Sequence, residues 1–171
     1  MKENVIIFGA GKLGKELLGK LGNCGISVIC FADNDSQKWG SNLEGIPIIA
    51  PYSIQDYYEA DTDIVVASNQ YAAIRKTLEN IGLENYYIHL NGRNYHSVDQ
   101  PNNEYKRCKR CVMDNRSDGW ILFDESGNCN YCNDAHDGIG KIYFPDKKGE
   151  VKLEEWIKKS KHMEKGKNTT A

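Results

Sequence analysis

Four cysteines, spaced Cys108-x2-Cys111-x17-Cys129-x2-Cys132, limit most sharply what this chain can fold into. From Lys106 to about Asp137, Asn, Asp and Gly dominate, with one apolar run, Trp120-Ile121-Leu122-Phe123, expected as a strand. Such a segment buries too little apolar surface to fold by itself, so a bound metal must supply the missing free energy. Thiolates are good zinc ligands, and two C-x2-C knuckles about fifteen to twenty residues apart close a tetrahedral site. Four thiolates leave no open position for water or substrate. The expected ion is therefore a structural Zn2+ on Cys108, Cys111, Cys129 and Cys132. The rival reading, a redox pair or free thiols, does not call for two knuckles. Cys24 and Cys30 lie outside the pattern and are expected as small core residues.

Lys106, Arg107, Lys109, Arg110 and Arg116 crowd the first knuckle. A zinc centre with four thiolates carries about two negative charges, which nearby cations offset without any further partner. Nucleic-acid phosphates are the competing explanation. The net charge of -2 and pI of about 6.1 leave no wider basic face for them. Six cysteines without an export signal in the first residues argue for metal or free thiols over disulfides. No apolar run approaches the roughly 18 residues a membrane span needs, and the cytoplasm is the expected location. His89, His96, His136 and His162 take the plain reading of surface or core residues. His136, just past the last cysteine, is at most a support for the ligands.

Residues 3 to about 90 alternate apolar runs with helical stripes. The runs are Val5–Phe8, Ser27–Phe31, Ile46–Ile49, Ile64–Ala67 and Tyr86–Leu90. They lack in/out alternation, as strands buried on both faces of a parallel sheet do. Leu13, Leu17, Leu18 and Leu21 form one helical stripe, and Tyr71, Ile74, Leu78 and Ile81 another. Ser53 is expected to N-cap a helix and Gly82 to end the second stripe. The alternation predicts a small Rossmann-like α/β domain over 1–95. A polar linker, 96–105, would lead to a zinc-ribbon-like module at 106–137. A C-terminal helix and polar tail at 138–171 would follow, with Leu153, Trp156, Ile157 and Met163 on the helix's apolar side and Glu154/Lys158 and Glu155/Lys159 paired on its wet side.

Gly9-Ala10-Gly11-Lys12-Leu13-Gly14 follows the first strand and opens the first helix, the context in which G-x-G-x-x-G acquires meaning. The first glycine permits a tight turn, the second lets backbone approach a phosphate, and the third lets helix pack on strand. Helix N–H groups and dipole then attract the anion. Asp33 closes the second strand about twenty residues later, where a carboxylate accepts from a ribose hydroxyl and disfavours a 2′-phosphate. NAD is one ligand such a loop holds, yet no helical Tyr-x-x-x-Lys pair supports hydride transfer. Tyr105/Lys109 lies among the metal ligands, and Pro145 interrupts Tyr143/Lys147. The loop can equally be kept for packing alone.

Phe31-Ala32-Asp33-Asn34-Asp35, Gly45-Ile46-Pro47-Ile48, Val66-Ala67-Ser68-Asn69 and Arg75 together resemble the N-terminal Rossmann-like domain of sugar O/N-acyltransferases, over residues 4 to about 90. That resemblance implies a UDP-sugar ligand, with Gly9, Gly11, Lys12, Gly14, Asp33, Asn34 and Ser68 or Asn69 lining its pocket. The hexapeptide-repeat β-helix that carries acyl transfer is absent from this sequence. Cys108-Lys109-Arg110-Cys111-Val112-Met113-Asp114-Asn115 and Phe123-Asp124-Glu125-Ser126-Gly127-Asn128-Cys129-Asn130-Tyr131-Cys132 resemble the zinc region of N-acetyl sugar amidotransferases of bacterial lipopolysaccharide and surface-glycan synthesis. In that family, glutamine-derived ammonia and an ATP-pyrophosphatase domain convert an acetamido to an acetamidino group on a nucleotide sugar. The Ser-Gly-Gly-x-Asp-Ser loop of that domain does not occur here. The sequence reads as truncated, cut, or a dedicated accessory form, with no catalytic residues of its own. The expectation is a nucleotide-sugar- and zinc-binding part of an amidotransferase system, partnered by an amidotransferase or ATP-pyrophosphatase subunit. An NAD-dependent nucleotide-sugar oxidoreductase and a non-catalytic scaffold are the alternatives.

Overall fold

Val5, Ile6, Ile7 and Phe8 are wholly buried, so the first strand has apolar neighbours on both faces, and the rest of the sheet is built outward from it. The structure, a computed structural model, describes residues 2–100 and 104–165. Strand β1 (Asn4–Phe8) pairs in parallel with β2 (Ser27–Ala32) on one side and β5 (Thr62–Val66) on the other. Beyond β2 lie β4 (Ile46–Ile49) and the short β3 (Asn42–Leu43); beyond β5 lie β6 (Tyr87–Leu90) and β7 (Arg93–His96). The sheet order is β3-β4-β2-β1-β5-β6-β7, parallel except at its two antiparallel edges. The five strands expected from the apolar runs between Val5 and Leu90 are all present. The edge strands β3 and β7 were not expected, because each is short and polar.

Alternate residues of the strands serve two cores. Ile6, Phe8, Ala32, Ile64, Val66 and Ile88 pack with Tyr71, Ile74 and Leu78 of helix α2 (Tyr71–Asn80). Val5, Ile7, Phe31 and Val65 pack with Leu17 and Leu21 of helix α1 (Lys12–Asn23). Each helix thus covers one face of the parallel sheet, the arrangement that makes near-continuous apolar strands stable.

Both helices stop in the same way. After α2, Gly82 takes φ 74°, its N–H bonds Glu79 O at 3.1 Å, and the Leu83 N–H bonds Leu78 O at 2.9 Å. These are the two bonds of a Schellman motif, with the accompanying apolar contact between buried Leu83 and Leu78. Gly25 repeats the pattern after α1, where Gly25 N–H meets Gly22 O at 3.1 Å and Ile26 N–H meets Leu21 O at 3.1 Å. Ser53 behaves differently from expectation: it lies inside a 3-10 turn, Pro51–Asp56, which begins after Ala50 without a side-chain cap. Pro51 at the first position presets that turn's φ and makes a cap hydroxyl unnecessary.

The stretch read as a linker contains structure. His96 ends β7, Ser97–Asp99 form a 3-10 turn, and Gln100 is buried; Pro101, Asn102 and Asn103 lie outside the described residues. Gln100 acts as a strand surrogate. Its Oε1 accepts from Phe123 N–H at 2.9 Å, and its Nε2 donates to Phe123 O at 2.9 Å and His96 O at 3.0 Å. Leu122 enters the core beside α2, and the Tyr71 hydroxyl donates to Trp120 O. The run Trp120–Phe123 is therefore not a strand. It makes a single bridge, Phe123 to Cys129, because Gln100 and Asn130 side chains take the backbone groups that a neighbouring strand would have used. Cys30 is buried as expected, whereas Cys24 is exposed at the C-cap of α1.

Contacts divide the chain into two compact units, Met1–Asn130 and Tyr131–Ala171. Helix α3 (Asn130–Gly138) and helix α4 (Lys147–Lys165) follow the last knuckle. Asp146 caps α4 by accepting from Lys148 N–H at 3.0 Å and Gly149 N–H at 3.2 Å. The expected apolar side of α4 exists, but Leu153 and Trp156 are 62% and 74% exposed. Met163's side chain and the tail beyond Lys165 lie outside the described residues. No helix among the described residues is long and apolar enough to cross a membrane.

Gln100→Ala would leave the buried N–H and C=O of Phe123 without partners, at a cost of about 1–3 kcal/mol for each group. The expected result is a loss of about 2–6 kcal/mol in chemical denaturation. A loss under about 0.5 kcal/mol would show that the two backbone groups find other partners.

Candidate functional site

In a sheet of this order, ligands lie beyond the carboxyl ends of the parallel strands where the chain order reverses, here at β1 between β2 and β5. Three segments meet there. Gly9 N–H bonds Ala32 O at 2.7 Å, and Ala67 N–H bonds Phe8 O at 2.8 Å, so the loops after β1, β2 and β5 are tied together. The structure thus brings Gly9, Gly11, Gly14, Asp33 and Ser68 into one neighbourhood.

The three glycines have different duties. Gly9 has φ 120°, and a Cβ there would stand 2.6 Å from Ala67 O. A Cβ on Gly14 would stand 2.0 Å from Gly9 O and 3.3 Å from the Phe31 ring. Both positions are closed by backbone, so they hold α1 against the sheet. Gly11 is the opposite case: it N-caps α1 in an extended conformation, φ -118°, and nothing lies within 4 Å of a Cβ built on it. The first N–H groups of α1 beside it have no carbonyl of the preceding turn to bond, and the helix dipole is positive at that end. An open, amide-lined surface of this kind accommodates an anion. Lys12 follows, exposed and 4.0 Å from Glu16.

Asp33 proves to be engaged by the protein itself. Its Oδ2 accepts from Ala10 N–H at 2.8 Å and Lys38 Nζ at 2.9 Å, and its Oδ1 accepts from Asp35 N–H at 2.9 Å. Burial pushes the carboxyl up. The Asp35 N–H, the Lys38 ammonium and the Ala10 N–H together outweigh it and hold Asp33 below the usual carboxylate range. The carboxylate therefore pins the glycine loop to the end of β2, a role the spacing does not announce. Lys38 and Ala10, its partners, were not singled out from the sequence, and no pattern marks them. Asn34 is exposed beside it. Ser68 Oγ accepts from Gln70 N–H at 3.0 Å at the entrance to α2, and Asn69 lines a cavity against α1.

The second candidate is the cysteine cluster. The sulphurs of Cys108, Cys111, Cys129 and Cys132 all lie within 4.8 Å of one another. Cys111 and Cys129 sulphurs are 3.8 Å apart, too far for a disulfide. Zinc–sulphur bonds of about 2.3 Å at tetrahedral angles put sulphurs about 3.8 Å apart, so the donor set and spacing fit a metal of this kind. Backbone N–H groups of Arg110 and Cys129 each point at Cys108 Sγ from 3.3 Å. Burial raises the Cys108 thiol, but these donors and the Cys111 N–H outweigh it and bring it down to about 6. A sulphur surrounded by N–H donors is a ready thiolate.

The residues between the cysteines explain why the sulphurs converge. Asp114 Oδ1 accepts from Arg116 and Ser117 N–H groups at 2.9 and 2.7 Å, closing the turn after the first knuckle. Asn115 bridges back to Lys106 N–H at 2.8 Å and Glu104 O at 2.6 Å. Asp124 Oδ1 accepts from Asn128 N–H at 2.8 Å, and Gly127 turns at φ 80° against the Lys109 stem. Asn130 pairs with both backbone groups of Leu122, through its own N–H and its side-chain oxygen, each at 2.9 Å. Asp114, Asn115, Asp124 and Asn130 thus satisfy backbone that a small apolar core leaves exposed.

Among solved structures, UDP-D-quinovosamine 4-dehydrogenase from Vibrio fischeri is 21% identical, with a TM-score of 0.46 over 56% of this chain and 93% of that one. RSP, a Rex-family repressor, is 20% identical, with a TM-score of 0.41 over 52% of this chain and 46% of that one. RSP in complex with beta-NADH is 17% identical, with a TM-score of 0.41 over 53% and 47% of the two chains. No curated protein matches. The model of the family described as C2185-like, N-terminal, matches residues 1–89, which are the glycine loop, both sheet-covering helices and the strands up to β6. Through those 89 of its 171 residues the chain belongs to the C2185-like family, whose N-terminal domain it carries.

Proposed function

We propose that this chain is a binding module of an N-acetyl sugar amidotransferase system in bacterial surface-polysaccharide synthesis, at work in the cytoplasm. Its α/β part takes a nucleoside-diphosphate sugar at the Gly9–Gly14 loop. Its four cysteines hold a structural Zn2+, and the segment they organise docks an amidotransferase or ATP-pyrophosphatase subunit. The observation that carries the reading is the open, amide-lined surface at Gly11, flanked by two glycines closed against backbone. Backbone closes Gly9 and Gly14, whereas Gly11 stands open at the N-terminus of α1, where the helix leaves N–H groups unbonded. The diphosphate would sit there, with Lys12, Asn34, Ser68 and Asn69 around it. Three of the acceptor positions on Asp33 are already filled by Ala10, Lys38 and Asp35, which weighs for a nucleotide sugar over NAD, whose ribose needs that carboxylate. The zinc-region motif, Cys108 to Cys132, links the module to amidotransferases.

A closed four-sulphur site supplies a metal with a structural role only; its chemistry here is cross-linking. Metal analysis of freshly purified protein should find one zinc per chain. Cys129→Ser should abolish retention of the metal and release the 106–137 segment to protease, with the β1–β6 sheet still folded. A chain that purifies without metal and melts as before after that substitution would remove the zinc from the account.

Calorimetric titration of the zinc-loaded chain with UDP-N-acetylglucosamine, NAD and NADP should rank the sugar nucleotide first. Gly11→Leu suits the extended backbone there and its Cβ meets no neighbour, so it should fold normally while losing at least tenfold in affinity. Unchanged affinity would place the ligand elsewhere, and preference for NAD would favour the oxidoreductase reading.

A further inference from the structure

The carboxylate of Asp33 fastens the glycine loop, and its main chain has a second partner. The Asp33 carbonyl accepts from Trp39 Nε1 at 2.7 Å, which fixes the half-buried indole beside the carboxyl end of β2. Tyr52 lies in the 3-10 turn that follows β4. Its ring meets the indole edge to face, with centroids 5.7 Å apart and planes at 86°. A single exposed tyrosine is ordinary on a protein surface. Tyr52 differs because it is 67% exposed and yet held in one orientation by an aromatic neighbour that is itself hydrogen-bonded. A continuous series of contacts thus runs from Ala10 in the glycine loop through Asp33 and Trp39 to Tyr52.

We propose that Tyr52 is the platform on which the base of a bound nucleotide stacks, with Trp39 as the residue that positions it. Every nucleobase has a π-face, and an aromatic ring open to solvent is the group that receives it. Position supports the same ligand. Strands β2 and β4 run parallel to the sheet's central strand β1, so Trp39 and Tyr52 stand at the same end of the sheet as the Gly9–Gly14 loop. In the order β4-β2-β1, β4 is two strands from β1, about 10 Å at the usual spacing. That is close to the reach of an extended nucleotide from its diphosphate to its base. A diphosphate at the α1 N-terminus would therefore carry its base over β2 toward Tyr52. The chemistry of Asp33 points the same way. With its oxygens taken by Ala10, Lys38 and Asp35, it offers little to a ribose, so affinity on this side has to come from the base. Stacking discriminates little among bases, and the platform strengthens the nucleotide half of the ligand whatever that base is. The inference rests on the nucleotide-sugar reading above and adds to it which side chain receives the base.

The test compares UDP with inorganic pyrophosphate in calorimetric titrations of the zinc-loaded full chain. The parent should bind UDP more tightly than pyrophosphate. Tyr52→Ala removes an exposed ring and should lose about tenfold for UDP with pyrophosphate unchanged, whereas Tyr52→Phe keeps the ring and should retain UDP affinity. If Tyr52→Ala does not fold, Tyr52→Gln, of similar length without a ring, carries the same expectation. Trp39→Phe keeps an aromatic neighbour but lacks the N–H that bonds Asp33, and should weaken UDP several-fold while leaving pyrophosphate alone. A merely structural role for either residue would weaken both probes together, and that result would overturn the platform. UDP binding no tighter than pyrophosphate, or UDP affinity that survives loss of the Tyr52 ring, would overturn it too and leave the phosphate surface at Gly11 standing. A parent chain that binds neither probe would overturn both.

Discussion

The pairing of β1 with β2 and β5 is the constraint from which the rest of the α/β part follows. A strand with no exposed side chain from Val5 to Phe8 needs hydrogen-bonded neighbours on both edges and a helix over each face. Parallel neighbours require crossovers, and α1 and β5's approach through the 3-10 turn provide the chain length for them. The same geometry brings the loops after β1, β2 and β5 to one end. An open helix N-terminus at that end is then a by-product of burying an apolar strand, refined by three glycines at distinct tasks. Gly9 and Gly14 let the backbone of loop, helix and β5 touch; Gly11 leaves a face open.

Polar side chains organise the remainder. Asp33 fastens the glycine loop by accepting from Ala10, Lys38 and Asp35 at once. Gln100 stands in for a strand by holding both backbone groups of Phe123. Asp114, Asn115, Asp124 and Asn130 do the equivalent around the knuckles. In a segment with only Leu122, Phe123 and their neighbours as core, these bonds determine where the four sulphurs sit. Metal and side-chain turns are complementary here: the turns bring the thiols together, and an ion on them would lock the turns.

Much of this was legible in the sequence. Apolar runs marked five of the seven strands, because burial on both faces leaves a continuous signature. Leucine and tyrosine stripes marked α1 and α2, and Gly82 marked where α2 stops, since a left-handed residue is needed there. The edge strands were harder. Asn91-Gly92, both at positive φ, is a strong hairpin signal and could have revealed β7; β3 has only two residues and Glu44-Gly45 to announce it. Trp120–Phe123 misled because apolar runs imply a strand only when a partner strand exists.

The sequence by itself determined the alternation of strands and helices, the glycine loop, and which four cysteines would converge, since each of these is written in local spacing. Tertiary structure alone decided what Asp33 and Gln100 bond to, that Cys24 faces solvent, and that His89 has one ring nitrogen partnered and the other buried without a donor. A polar side chain has no period to reveal its partner. Its role is fixed by which distant backbone groups the fold leaves unsatisfied beside it.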